Sequence, residues 1–481
     1  MYRFTNPLSH RSHRLKTMSD KPTITFLGAA GTVTGSRFLL SCGDTKVMIE
    51  AGLFQGLKEL RLKNWDPLQV DPATIDAVVL THAHLDHCGY LPKLVQQGFR
   101  GKVHATEYTA KLAEVILLDS ARIQTEDAKW AAKKGFSKHN PPKPLYDEAD
   151  VAKTLKLVQA EEFDKRVQIA AETFVTFRAS GHILGAAVVE VEFFGKRLLF
   201  SGDLGRDHHP LLVNPTKFSE GLFDAVITES TYGDREHVAP TTDFENAINK
   251  TVANGGSILI PAFAVDRTEV ILMRLRDLMD EKKIPRVPIY VDSPMALKAL
   301  DFYREAISEE SAEIRDDVVA KWKDRDPFDP GTLVELRSVE ESKTINNPTE
   351  PCIIVSASGM ATGGRVVHHL RQMLTNPKHL ILLVGYQAVG TRGRALIDGA
   401  KEVKMHGELV PVRAQVEQLG EFSVHADANE LVAWLQSASI APNQIFVVHG
   451  EAGVAESFSE LIQSRLGWKS VAPKDGESYT L

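Results

Sequence analysis

The stretch Val78–Pro92, VVLTHAHLDHCGYLP, restricts the chain more than any other. An apolar run ends there in three histidines and an aspartate within six positions: His82, His84, Asp86 and His87. His82 and His84 stand two apart, so in an extended segment they project to the same side. Asp86 and His87 fall on the turn into the next helix, where adjacent side chains diverge. The quartet therefore suits two neighbouring ions better than one. Imidazole nitrogen and carboxylate oxygen without thiolate suit zinc or a similar divalent cation. A lone histidine is usually a packed or surface residue, but four ligand-type side chains this close are poorly explained that way.

The same pattern recurs along the chain. Six apolar strands run directly into polar, chemically capable residues: AVVL-THAHLDH, VTFRAS-GHILG, RLLFS-GDLG, AVITE-STYG, IIVSAS-GM and IFVV-HGE. In α/β proteins ligands collect at the carboxyl ends of strands, so these ends point to one shared site. His182, Asp203 and His449 each follow a strand and are flanked by glycine, which lets backbone approach a ligand closely. Asp203 has two oxygens to share between cations. Each of the three is weak alone; with the first cluster they form a coherent set.

A length of 481 residues is too much for one ordinary core, so at least two domains are expected. No apolar run approaches the ~20 residues that span a bilayer, so no membrane association is expected. Three cysteines exclude a disulfide framework and fit a reducing cytoplasm. The net charge of -7 argues against a broad basic surface for nucleic acid, while leaving room for a local cationic groove or a substrate held through metal ions. The first residues carry Arg3, Arg11, Arg14 and Lys16 with no acid before Asp20, and are read as a disordered leader rather than a transit peptide. From Thr23 the pattern becomes strand-like (TITFLG, RFLLSCG, KVMIEAG), followed by a helical run over 108–134. KHNPPKP, Lys138–Pro144, reads as a surface loop. A second α/β set starts near Phe223, and its alternation of strands with helices implies largely parallel pairing.

THAHLDHCGYLP matches the HxHxDH signature of the metallo-β-lactamase fold, and ASGHILGA, SGDLGR and VVHGE resemble that fold's later metal motifs. ITESTYGDREH, ILIPAFAVDRTEVIL, IYVDSPMA, SASGMATGGRVVHHL, LVGYQAVGTRGRAL and FSVHADANEL resemble the β-CASP branch, the nucleases related to the mRNA cleavage subunit of the polyadenylation machinery. The resemblance runs from Thr23 to about Glu451. It implies an α/β fold, a metallo-β-lactamase αββα sandwich with an inserted α/β β-CASP domain. The expected division is a leader over 1–22, the sandwich over 23–220, the insert over 221–420 and the sandwich's return over 421–481. It also implies two zinc ions, with manganese as the alternative. By carry-over His82, His84 and His182 hold one ion, Asp86, His87 and His449 hold the other, and Asp203 bridges them. One departure stands out: relatives usually have Asp where this chain has Glu50, a position that supports the ligands from behind.

Two adjacent divalent ions form a clamp for displacement at phosphorus. The resemblance makes Asp86, Glu229 and His425 the catalytic residues, with His425 as the acid for the leaving oxygen and Glu229 orienting it. Taken alone, Glu229 reads better as a strand-end surface acid, and His425 as an N-capping neighbour of the helix ADANELVAWLQ; within the resemblance the pair is catalytic. Ser356, Ser358, Gly359, Arg365 and His368 resemble the family's phosphate-binding motif, although TGGR serves equally as a tight turn and Arg365 as a surface arginine. The implied substrate is single-stranded RNA, and relatives often form homodimers. Two rival readings are a thioester, lactone or lactam hydrolase of the same superfamily and a non-catalytic scaffold. The long insert and the Glu229/His425 pair count against the first. The full ligand set counts against the second.

Overall fold

The computed structural model describes residues 21–134, 142–237 and 241–481. The leader expected before Thr23 lies almost wholly outside them, as do residues 138–141 of the proline-rich segment.

Two seven-stranded sheets stack face to face. The first runs in the order Ser478–Thr480, Thr23–Phe26, Phe38–Cys42, Thr45–Ile49, Ala77–Val79, Lys102–Thr106 and Val158–Glu161. The second runs Ser470–Val471, Ile445–Val447, Ala225–Thr228, Lys196–Phe200, Ala187–Phe193, Thr173–Ala179 and Val167–Ala170. Alternation decides which side chains meet between them. In Thr173–Ala179, TFVTFRA, Val175 and Phe177 are buried while Thr176 and Arg178 point away. Val175 and Phe177 join Ile24, Phe26, Leu40, Val47, Val189, Phe200 and Phe446 in the core between the sheets. Helices cover both outer faces. Glu107–Lys134, Leu91–Gln96 and Glu148–Leu155 lie over the first sheet, and Ala428–Leu435 and Ala452–Leu466 over the second, giving the four layers α, β, β, α.

Between Tyr232 and the return at Phe422 the chain builds a third, six-stranded sheet. Its order is Leu333–Glu335, Ile289–Val291, Ile353–Ser356, Ile258–Pro261, Leu380–Leu383 and Gln415–Gln418, and every pairing is parallel. Helices such as Arg267–Asp280 and Pro294–Ser308 cover one face, and Val366–Met373 the other. Among the described residues no helix is long and apolar enough to cross a membrane.

One strand differs from the sequence reading. In sequence Ala225–Thr228 opens the second α/β set; in the structure it pairs in parallel with Lys196–Phe200 on one side and Ile445–Val447 on the other, inside the sandwich. Its four residues are all buried, so the apolar run announces a strand without saying which sheet receives it. The insert's own sheet therefore begins at Ile258.

This topology gathers the site. Lys196–Phe200, Ala225–Thr228 and Ile445–Val447 run parallel, and Thr173–Ala179 runs the same way because two antiparallel steps separate it from Lys196–Phe200. Their carboxyl ends release Asp203, Glu229, His449 and His182 at one edge. The parallel pair Thr45–Ile49 and Ala77–Val79 releases Glu50 and the His82–His87 segment there from the other sheet.

Candidate metal centre

His82 and His84 meet as their spacing requires, with His82 Nε2 facing His84 Nδ1 at 3.1 Å. His182 Nε2 lies 3.4 Å from the same His84 nitrogen. Asp203 Oδ2 completes the group at 3.5 Å from both His82 Nε2 and His182 Nε2. A second group forms beside it: His87 Nε2 is 3.2 Å from His449 Nε2, which is 3.3 Å from Asp86 Oδ2. Asp203 turns its other oxygen to this group, with Oδ1 3.4 Å from His87 Nε2 and 3.6 Å from His449 Nδ1. His82, His84, His182 and Asp203 thus form one group of close donor atoms and Asp86, His87 and His449 another; Glu50 with His82 and His87, and Asp203 with Glu229 and His425, form two further groups that overlap them. Each cluster can hold a divalent cation.

Four lone-pair donors held this close repel one another unless a cation or protons lie between them. Burial pulls His82 and His182 well below the usual imidazole range, and neighbouring imidazoles add to it. Burial likewise takes His84 down to about 4. These three rings are neutral donors near pH 7. In the other group burial also opposes charge on His87, but Asp203 and Glu50 outweigh it and raise that ring to about 10. His449 is raised by Asp203 and Asp86 against the same desolvation, and the two imidazoles hold Asp86 below the usual carboxylate range. Positive charge is favoured where the second cluster stands, as protons or as a metal ion.

The clustered histidines are held from behind. Thr81 Oγ1 lies 3.0 Å from His82 Nδ1, and Thr231 Oγ1 lies 3.1 Å from His449 Nδ1. Glu50, 1% exposed, accepts from Thr81 N–H at 3.1 Å and places Oε1 3.4 Å from His87 Nδ1. The longer side chain therefore still reaches His87. Burial raises the Glu50 carboxyl, and His87 opposes that shift.

Glu229 is not a surface acid: it is 1% exposed, and accepts from Leu204 N–H at 2.6 Å and Thr231 N–H at 3.3 Å. Its Oε2 lies 3.3 Å from His425 Nδ1, and Asp203 Oδ2 lies 3.9 Å from the same nitrogen. The helix Ala428–Leu435 is capped by Asp427, so His425 is left for the site. His237 Nε2 pairs with the carbonyl of His425 at 2.9 Å, a tether no sequence signal marked.

The proposed phosphate residues divide. A Cβ on Gly359 would stand 2.7 Å from the ring of Phe263, whose centroid is 6.2 Å from that of His84, so this loop faces the metal clusters. Ser358 Oγ lies 3.1 Å from the hydroxyl of Thr362, and the His368 ring packs against His406 with centroids 4.8 Å apart. Ser356 and Arg365 turn inward instead. Ser356 Oγ donates to the carbonyl of Asp292 at 2.8 Å. The Arg365 guanidinium donates to Asp292 Oδ1 at 2.6 Å and to the carbonyls of Leu336 and Arg337 at 3.0 and 3.1 Å. Both residues brace buried Asp292, as does His369 at 2.6 Å. The buried partner is thus the second histidine of RVVHHL, and only packing distinguishes it from His368.

Three family models match successive parts of the chain: the metallo-beta-lactamase superfamily over residues 35–251, the Beta-Casp domain over 268–396, and a Zn-dependent metallo-hydrolase RNA specificity domain over 409–473. Ribonuclease TTHA0252 of Thermus thermophilus is 36% identical over 91% of this chain and 95% of its own length. The chain belongs to the β-CASP metallo-β-lactamase family of metal-dependent ribonucleases. An RNase J-like protein of Methanocaldococcus jannaschii is 32% identical over 85% of the chain and 89% of its own length. Transcription termination factor FttA of Methanosarcina mazei is 30% identical over 95% of the chain and 72% of its own. A crystal structure of a protein of unknown function from Enterococcus faecalis covers 96% of the chain and all of its own, with a TM-score of 0.52 at 13% identity, a likeness of fold. The β-CASP match falls within the six-stranded sheet region, and the metallo-β-lactamase match covers most of the sandwich.

Proposed function

We propose that this protein is a zinc-dependent ribonuclease that hydrolyses phosphodiester bonds of single-stranded RNA with two ions, in RNA processing or decay. The observation that carries the proposal is the pair of donor clusters sharing Asp203. Ligand atoms on a tetrahedral zinc ion, ~2.0–2.1 Å from the metal, stand ~3.3 Å apart. The facing nitrogen and oxygen atoms within the two clusters stand 3.1–3.5 Å apart. His82, His84 and His182 would hold one ion, Asp86, His87 and His449 the other, and Asp203 both; manganese is the alternative metal. Bound there, the ions would supply an activated water and offset the charge that builds on the phosphoryl oxygens.

The rest of the chemistry belongs to the chain. Glu229 accepts the Nδ1 proton of His425 and fixes the ring, so that the protonated imidazole gives up its Nε2 proton to the leaving oxygen. Asp86 shares in catalysis as a ligand beside the reacting atoms. The loop bearing Ser358 and Gly359, with His368 on the helix that follows, is the phosphate-binding side of the cleft. Ser356 and Arg365 are left out of that role, because their donors are committed to Asp292 and nearby carbonyls. The sandwich is completed by residues after about 421, and the β-CASP insert follows the strand Ala225–Thr228. A homodimer and a cytoplasmic location complete the proposal; Cys88 and Cys352, buried as thiols, fit a reducing compartment.

The test is His425→Ala and Glu229→Gln on the zinc-loaded protein with a single-stranded RNA. Both variants should keep their metal and lose roughly 10²–10⁴-fold in kcat, the range expected for a positioned general acid. Full activity in His425→Ala would remove His425 from the chemistry.

A further inference from the structure

Four of the histidines in the two clusters differ in how their far nitrogens are held. Nδ1 of His82 lies 3.0 Å from Thr81 Oγ1, that of His449 3.1 Å from Thr231 Oγ1, and that of His87 3.4 Å from a Glu50 carboxylate oxygen. Among the described residues, Nδ1 of His182 pairs with a main-chain partner instead, the carbonyl of Val424 at 3.4 Å. The ring is thus oriented through main-chain positions at both ends, and the turn that follows it is held in part from outside the sandwich.

Two buried amides beyond His182 carry the connection. Leu184 N–H donates to Tyr303 Oη at 3.0 Å, and Gly185 N–H donates to Glu313 Oε2 at 2.6 Å. Tyr303 lies in the helix Pro294–Ser308 and Glu313 just beyond it, both in the insert. From the sandwich side the Thr109 hydroxyl donates to Gly185 O at 2.7 Å, so the turn is gripped from both sides.

The grip has a buried foundation. Tyr303 Oη donates to Asp266 Oδ1 at 2.7 Å, and Asp266 Oδ2 lies 3.0 Å from His209 Nε2. His209 Nδ1 accepts from Leu211 and Leu212 N–H at 3.1 and 3.0 Å, which places the ring proton on Nε2, pointing at Asp266. Tyr303 and Asp266 are 0% exposed, His209 2% and Glu313 8%. A buried polar chain is costly unless each member is satisfied, and when satisfied it fixes a single geometry. This one ends on the loop of a metal ligand.

We propose that Tyr303 and Glu313 are positioning residues for His182, so that the insert sets the affinity of the cluster His82, His84, His182 and Asp203 for its cation. The inference rests on His182 being a ligand. Outer partners of metal ligands typically change affinity by roughly 10–100-fold when removed.

The test measures zinc binding on the full-length protein by competition with a chromogenic chelator, and the visible spectrum after cobalt substitution. The variants are Tyr303→Phe, Glu313→Ala, Glu313→Gln and, as reference, His182→Ala. Tyr303→Phe and Glu313→Ala should weaken one of the bound ions by about 10–100-fold and alter the cobalt spectrum. Glu313→Gln should stay within about threefold of wild type, because its amide oxygen still accepts from Gly185 N–H. A merely structural role would lower the melting temperature of the metal-free protein in all three without this ordering. Zinc affinity within about twofold of wild type in both Tyr303→Phe and Glu313→Ala, alongside loss of an ion in His182→Ala, would overturn the proposal and leave the ligand assignment standing. Retention of all zinc by His182→Ala would instead overturn the assignment on which it rests.

Discussion

Replacing Glu50 by aspartate, shorter by one methylene, should weaken metal binding in this protein. Glu50 Oε1 stands 3.4 Å from His87 Nδ1 and accepts from Thr81 N–H at 3.1 Å, on a buried segment with φ of 64°. Aspartate is shorter by one carbon–carbon bond, ~1.5 Å. With the backbone fixed, its nearest oxygen retreats to ~4.9 Å from the ring. At an effective dielectric constant of about 20, unit charges attract by ~4.9 kcal/mol at 3.4 Å and ~3.4 kcal/mol at 4.9 Å. The difference, about 1.5 kcal/mol, is roughly tenfold in affinity, and it is an upper figure because a metal-bound imidazole carries only part of a unit charge. The assay is chelator competition for zinc, with Glu50→Gln as the reference for complete loss of the charge. Glu50→Asp should bind zinc up to about tenfold more weakly, and Glu50→Gln about 10–100-fold more weakly. Zinc affinity in Glu50→Asp equal to or above that of the unaltered protein would refute the claim that side-chain length here is matched to His87.

Phe446 is 2% exposed, with ring centroids 5.0 Å from Phe26 and 4.8 Å from Tyr479, so Phe446→Ala should cost about 3–5 kcal/mol in urea unfolding; a loss under ~1 kcal/mol would contradict the core packing. Burial raises the Glu313 carboxyl from 4.5 to about 7, so the folded state holds that proton more tightly than the unfolded chain. Its contribution to stability is therefore full below pH 4.5, falls as pH rises to about 7 and is flat above, a span of about 3 kcal/mol; Glu313→Gln should flatten this part of the pH–stability curve, and an unchanged curve would count against it. Extraction of metal with a chelator should abolish RNA cleavage and lower the melting temperature, because a ligand bound only by the folded state stabilises it by ~2.7 kcal/mol at a hundred times its Kd. A chelated protein with unchanged melting temperature would contradict metal binding in the folded state.

The candidate metal cluster was legible because its chemistry is local. His82, His84, Asp86 and His87 are neighbours in sequence, and His182, Asp203 and His449 each announce themselves as a polar residue after an apolar run. The parallel sheet of the insert was legible from the alternation of strands and helices. Membership of Ala225–Thr228 was not, because the choice between two sheets is a pairing with Ile445–Val447, more than two hundred positions away. Ser356 and Arg365 carry the right chemistry for phosphate in sequence, and only the buried Asp292 shows where their donors go. Tyr303 and Glu313 gave no signal at all. They meet Leu184 and Gly185 across separations of 119 and 128 residues, and a tyrosine on a helix reads as core until its hydroxyl finds a partner.

Cleavage of a 5′-labelled single-stranded RNA by the zinc-loaded protein, beside the His84→Ala variant and a DNA of the same sequence, tests the central claim most directly. The account predicts cleavage of the RNA and no cleavage by the variant, whose missing imidazole faces both His82 and His182 at 3.1 and 3.4 Å. An intact RNA after incubation with protein carrying two zinc ions per chain, or equal cleavage by His84→Ala, would contradict it.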